Sequence, residues 1–242
     1  MDNKKVNNIN IQASEVVEYN SLFKNQQHIN LREINIIDFL TKIINDKIDI
    51  NNDLSILEVG FNDGSRLKKV SSFYPNAKVI GLEVRQACVD NLVKDGYDCR
   101  LVTDELFDIN NIFNINEKFD VIYGYNVIHH ISVPYKYLRH LFTLLKPGGI
   151  LLFPHESHST HLTGYVLNTI SGNWKYEMNI FKLSKNKIIN DCKNYASKYN
   201  IGYNGLLCLF GFPKLNKIYR FFRFHKLPII NDIIILIEKN IN

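Results

Sequence analysis

The run Glu58-Val59-Gly60-Phe61-Asn62-Asp63-Gly64 constrains this chain more than any other stretch. It follows a short apolar segment, Leu54 to Val59, and precedes Ser65 to Phe73, whose apolar residues recur at helical spacing. A strand that stops on glycine and restarts as a helix forms a tight βα turn. Glycine lets the backbone bend and lets a ligand approach the main chain, and the following helix offers its first N–H groups. Dinucleotide-binding turns use G-x-G-x-x-G, and here Ser65 stands where the third glycine would fall. A nicotinamide oxidoreductase is therefore the weaker reading of the turn.

The alternation continues on both sides of this turn. Ser14 to Asp46 has helical spacing, with Ile34, Ile37, Leu40, Ile43 and Ile44 on one face. Ala77 to Glu83 reads as a buried strand, Gln86 to Asp95 as a helix, and Asp98 to Val102 as a strand. Phe119 to Tyr125 is a further strand and Pro134 to Leu145 a helix; a Lys146-Pro147-Gly148-Gly149 turn then leads into a strand over Ile150 to Phe153. Strand and helix at this pitch predict an α/β fold with a doubly wound, mostly parallel sheet. Beyond His155 the pattern loosens. Ser184 predicts the N-cap of a helix reaching about Tyr199, Gly205 to Phe210 a strand, and Ile233 to Glu238 a last, antiparallel strand. That makes seven strands. The domain reading is an N-terminal helical cap over 1–50 and a main domain over 51–242, with its core at 54–155 and a cap insertion at about 156–183.

Composition narrows the class without choosing within it. In 242 residues, 45% are hydrophobic and 22% charged, an ordinary globular mix that excludes a wholly disordered or fibrous chain. Lys and Arg number 29 against 24 Asp and Glu, and the resulting +5 is too weak to argue for nucleic acid. Cys88, Cys99, Cys192 and Cys208 form no C-x-x-C pair and read as reduced thiols, and the polar start lacks a secretory apolar core. The expected location is cytoplasmic.

Taken in order, five pieces of the chain resemble the class I S-adenosylmethionine-dependent methyltransferases. Glu58, Gly60 and Gly64 match that family's E-x-G-x-G-x-G loop, with Asn62 replacing the middle glycine, a substitution that a left-handed Asn accommodates. Glu83 ends the second strand, where a carboxylate accepts from a ribose diol. Thr103-Asp104-Glu105 follows the third strand, where the family places an acid that accepts from the adenine amine. Asn126-Val127-Ile128-His129-His130 follows the fourth strand, and the Lys-Pro-Gly-Gly turn precedes the fifth. The resemblance covers about residues 54–155. It implies a Rossmann-like methyltransferase fold, S-adenosylmethionine as cofactor with S-adenosylhomocysteine as product, and Glu58, Gly60, Asn62, Gly64, Glu83, Asp104 and Asn126 on the cofactor.

Ligands of this fold sit beyond the carboxyl ends of the parallel strands. In the small-molecule and sugar O-methyltransferases that the chain resembles, a His after strand four and an acid ending strand five flank the acceptor. Those positions match His129 and His155, the acid being replaced by a second imidazole with Glu156 beside it. The expected reaction is an in-line displacement onto a hydroxyl of a small molecule, a saccharide or biosynthetic intermediate, with His as general base. The alternatives are a small amine acceptor and a cofactor-binding protein without turnover. No Asn/Asp-Pro-Pro-Tyr/Phe run and no Pro-Cys pair occurs, which disfavours nucleic-acid methylation. His155, His158 and His161 lack the accompanying acids of a divalent-metal site, so no metal is expected. The basic, aromatic run from Lys214 to Lys226 suits a phosphorylated acceptor, an anionic membrane surface, or simply a helix with a solvated face. The segment Ser157 to Met178, with the N-terminal helix, is expected to cover the site.

Overall fold

The computed structural model describes residues 26–50, 53–102, 112–114, 116–157, 169, 182–204 and 232–241. The chain order is α1 (Gln26–Lys47), β1 (Ser55–Val59), α2 (Ser65–Phe73), β2 (Lys78–Glu83), α3 (Gln86–Lys94), β3 (Asp98–Leu101), β4 (Phe119–Gly124), a 3-10 turn (Ile128–His130), α4 (Pro134–Thr143), β5 (Leu145–Glu156), α5 (Lys185–Cys192), β6 (Lys198–Asn204) and β7 (Asp232–Glu238). The strands form one sheet in the order β3-β2-β1-β4-β5-β7-β6. β1 to β5 are mutually parallel where they pair. β7 runs antiparallel between β5 and β6. The order reverses between β1 and β4, so their carboxyl ends open the crevice in which α/β folds bind ligands.

Both faces of the sheet are covered, as near-continuous apolar strands require. Neighbours along a strand go to opposite cores: Ile56, Val121 and Leu152 pack with Ile37, Leu40 and Ile44 of α1, while Leu57, Ile122 and Leu151 pack with Leu138 and Leu141 of α4 and Ile188 of α5. The helical face read from the sequence for α1 is thus the buried one at Ile37, Leu40 and Ile44.

Two elements differ from expectation. The helix begun by Ser184, whose hydroxyl accepts from the Lys187 N–H, stops at Cys192 instead of reaching Tyr199. Lys198 to Ile201 alternates exposed and inward-facing residues, and it pairs with β7 in register from Lys198↔Glu238 to Asn204↔Asp232. A period of two over these residues outweighs the weak helical preference of the Asn-rich stretch before them. Among the described residues the strand before β7 is Lys198–Asn204; the strand expected at Gly205 to Phe210 lies outside them. The Lys-Pro-Gly-Gly turn does not precede β5 but interrupts it: Leu145 pairs with Phe119 and Ile150 with Val121, so the loop bulges from within the strand. Gly148, at φ 78°, donates from its N–H to the Lys239 carbonyl at 3.0 Å and ties the bulge to the residues after β7.

The N-terminal segment before Gln26, most of the 156–183 insertion, and the Lys214 to Lys226 run also lie outside the described residues. Among the described residues no helix is long and apolar enough to cross a membrane.

Candidate active site

The loop after β1 has the conformation its glycines foretell. Gly60, Asn62 and Gly64 have φ of 69°, 57° and 79°. A Cβ on Gly60 would lie 2.7 Å from Val127 Cγ2, and one on Gly64 would run into Leu92. Side chains are excluded there twice over, by space and by backbone sign. Asn62 takes the left-handed conformation that lets it replace a glycine. Phe61 points the other way, fully buried among Leu67, Val89 and Leu92.

Two acids stand behind this loop in different ways. Glu58 is wholly buried, with Oε1 accepting from Arg66 Nε at 3.2 Å and Oε2 from the Tyr123 hydroxyl at 2.8 Å. Burial pushes its carboxyl above the usual range, against the pull of Arg66 and Tyr123. Both oxygens are held inside the protein, under the loop. Glu83 sits at the loop's rim: Oε2 accepts from the Asn62 N–H at 2.8 Å, and Oε1 from the Val84 N–H at 3.0 Å. Arg85 closes over it, with Nε 3.1 Å from Oε1 and Nη2 2.6 Å from Asn62 Oδ1.

The tips of β4 and β5 bring the histidines together. Pairing between β5 and β7 slips between Phe153↔Ile235 and Glu156↔Ile233. Consecutive residues of a regular strand face opposite sides, and the slip lets both His155 and Glu156 reach the loop after β4. His155 Nδ1 lies 2.9 Å from Asn126 Oδ1, and the Asn126 N–H donates to the His155 carbonyl at 3.0 Å. Asn126 is left-handed, at φ 51°. The His155 ring also lies against Tyr125, tilted, with centroids 4.8 Å apart, and the Arg66 guanidinium carbon is 5.2 Å from the centroid of the Tyr125 ring.

Glu156, fully buried, accepts from the backbone N–H groups of Val127 at 2.9 Å and His129 at 3.2 Å. The same Oε2 lies 2.7 Å from His129 Nδ1. An ionised carboxylate can only accept, so Nδ1 carries hydrogen and the basic lone pair of a neutral ring is on Nε2. On the same logic the Asn126 oxygen puts hydrogen on His155 Nδ1. The 3-10 turn holds His129 against His130, with ring centroids 4.1 Å apart.

Of the residues read from the sequence, Glu58, Gly60, Asn62, Gly64 and Glu83 gather around the β1 loop, and Asn126, His129 and His155 around the tips of β4 and β5. The Asn126 side chain is turned to His155. Asp104 lies outside the described residues. Arg66, Arg85, Tyr123 and the Glu156–His129 pairing were not foreseen as parts of the site; Arg66 and Arg85 fall just past the glycine loop and the β2 acid, and that proximity was the available signal. Among the described residues no group of three or more His, Cys, Asp or Glu is arranged to hold a metal ion.

A family model described as a methyltransferase domain matches residues 25–180, more than half of the chain. The chain belongs to this methyltransferase family, and with it to the class I S-adenosylmethionine-dependent enzymes that its motifs resemble. In structure it is similar to the plantazolicin methyltransferase BamL in complex with a triazolic desmethylPZN analog and SAH. That match has 15% identity and a TM-score of 0.66, over 98% of this chain and 96% of that one. It is also similar to the CurJ carbon methyltransferase, at 14% identity and TM-score 0.61, over 90% of this chain and 57% of that one. At such identities the likeness carries the fold. No curated protein matches the chain.

The residues present fit an S-adenosyl cofactor. Gly60 and Gly64 hold the β1 loop in a left-handed turn that no side chain could share with Val127 and Leu92, and Glu83, a carboxylate of the kind a ribose diol needs as acceptor, lies beside that turn under Arg85.

Proposed function

We propose that the chain methylates a hydroxyl of a small-molecule or peptide-derived acceptor, a saccharide or biosynthetic intermediate, with His129 as general base. The observation that carries this reading is the buried Glu156–His129 pair, 2.7 Å apart at the strand tips. When bound, S-adenosylmethionine supplies an electrophilic methyl group on sulfur. An alcohol is a poor nucleophile until its proton leaves. In this reading His129 Nε2 takes that proton as the acceptor oxygen bonds to carbon, and Glu156 stabilises the imidazolium that forms. His155, held by a neutral amide, orients the acceptor as a hydrogen-bond partner. Glu58 braces the cofactor loop through Arg66 and Tyr123, and Glu83 holds the ribose. Most of the acceleration comes from alignment of acceptor and methyl group, and the base adds to it.

Cys88, Cys99 and Cys192 are free thiols, which supports a reducing, cytoplasmic location. The acceptor pocket is expected to be completed by the cap segments at 1–50 and 156–183.

The first test is a thermal shift with S-adenosylmethionine, S-adenosylhomocysteine and NAD. A ligand at about 100 times its Kd adds about 2.7 kcal/mol of stability, a rise of several degrees. Shifts with both sulfur nucleotides and none with NAD are expected. A panel of hydroxyl and amine acceptors then separates the chemistries. An unprotonated amine needs little base assistance, so an acceptor whose rate survives His129→Ala would replace the hydroxyl reading with N-methylation.

A further inference from the structure

Arg85 has no role in the reaction above, yet its side chain is about 10% exposed and lies across the acid assigned to the ribose. Nε is 3.1 Å from Glu83 Oε1, and Nη2 is 3.3 Å from Oε2 and 2.6 Å from Asn62 Oδ1. Backbone donors occupy the same carboxylate: Val84 at 3.0 Å and Arg85 at 3.3 Å on Oε1, Asn62 at 2.8 Å on Oε2. Five donors thus converge on a group with about four lone-pair sites. Two ribose hydroxyls cannot be added to that set.

Resting on the assignment of Glu83 to the ribose, we infer that Arg85 is a latch on the cofactor site: its guanidinium and the ribose diol exclude one another on Glu83, and Asn62 holds the latch shut. When the guanidinium leaves, each oxygen keeps one short backbone donor, Val84 or Asn62, and regains room for one hydroxyl. The arrangement gives Asn62 a purpose that glycine could not serve. Either residue tolerates the left-handed backbone there, but Asn alone adds an oxygen to anchor Arg85. The nucleotide before and after methyl transfer carries the same diol, so the latch weakens both and favours release of the product, a step that limits many enzymes.

Isothermal titration of S-adenosylhomocysteine into the full chain tests this. Arg85→Ala is expected to bind about fivefold more tightly than wild type, because the competitor is gone. Its melting temperature without nucleotide should fall, since Glu83 then loses its counter-charge. Asn62→Gly removes one anchor without straining the loop and should tighten binding by a smaller factor, about twofold. This second variant decides the matter if Arg85→Ala does not fold. Equal or weaker binding by either variant overturns the latch and makes Arg85 part of the cofactor's own binding surface. Glu83→Gln checks the underlying assignment: it should bind more weakly than wild type. If it binds equally, the diol is held elsewhere and the ribose reading fails, whatever the arginine variants do.

Discussion

The tips of β1 and β2 and the tips of β4 and β5 both hold buried acids, and they neutralise them differently. On the first side the counter-groups are guanidinium ions: Arg66 on Glu58 and Arg85 on Glu83. On the second, Glu156 is held by two backbone N–H groups and an imidazole. Arginine stays charged at any working pH and cannot accept a proton, whereas histidine changes charge near neutrality. A fixed charge suits an acid that must keep one geometry at every working pH. A proton acceptor suits a surface where a bond is made. Under the proposed function the first half binds the cofactor and the second does the chemistry, and substitutions in each half should then separate.

His129→Ala carries the largest expected effect. Loss of a positioned base should lower kcat by about 10²–10³, or about 3–4 kcal/mol, on a hydroxyl acceptor. The Kd for S-adenosylhomocysteine, measured by titration, should stay within about twofold of wild type. A matching loss in Kd would erase the separation of the halves.

Gly60→Ala attacks the seam between them. Its φ is 69°, and the new Cβ would meet Val127, which lies one residue beyond Asn126 on the other half. Strain and overpacking together should cost about 2–3 kcal/mol in urea unfolding, with Kd and kcat both impaired. An unchanged kcat at saturating cofactor would show that the β4 loop does not lean on the glycine.

Asn126→Ala then asks to which half this residue belongs. The family resemblance put Asn126 on the cofactor; its side chain meets His155. If it positions the imidazole, kcat should fall about tenfold, or about 1.4 kcal/mol, with Kd unaltered. A tenfold weaker Kd at constant kcat would return it to the cofactor side.

The two halves were also unequally legible. The β1 loop is local: glycine at 60 and 64 dictates backbone sign, and every residue needed to infer a ligand-binding turn lies within seven positions. The parallel core was legible for the same reason, since each strand is a short apolar run between turns. The acceptor half depends on register. That Glu156 reaches His129 follows from a slip against β7, a strand about 80 residues later in the chain, and no local spacing encodes it. His155 stands where the resemblance implies an acid; the carboxylate that meets His129 is its neighbour Glu156, turned inward at that slip. The sequence predicts a helix running on to about Tyr199 because Ser184 and the apolar spacing after it signal a start, while the stop at Cys192 has no glycine or proline to mark it.

The smallest expected effect concerns the opposite end of the sheet and serves as a control on both halves. Before β4, Glu117 binds Arg100 at 2.8 Å and Lys78 at 2.7 Å. Arg100 foremost holds its carboxyl down to about 2, from an ordinary 4.5. A carboxyl whose folded value is depressed stabilises the fold above 4.5, and that stability is lost as pH falls from 4.5 toward 2. Lys78 is about half exposed, and screening there limits the contribution to about 1 kcal/mol. Glu117→Gln should therefore lower the unfolding free energy by about 1 kcal/mol at pH 7, with the gap to wild type closing near pH 2. Because Glu117 itself lies before β4 and ties the start of β2 to Arg100 of β3 without touching Glu83, cofactor Kd and kcat at pH 7 should not change. A change in either would mean that the foot of the sheet sets the spacing of its tips, and the division of binding from chemistry would then extend through the whole sheet.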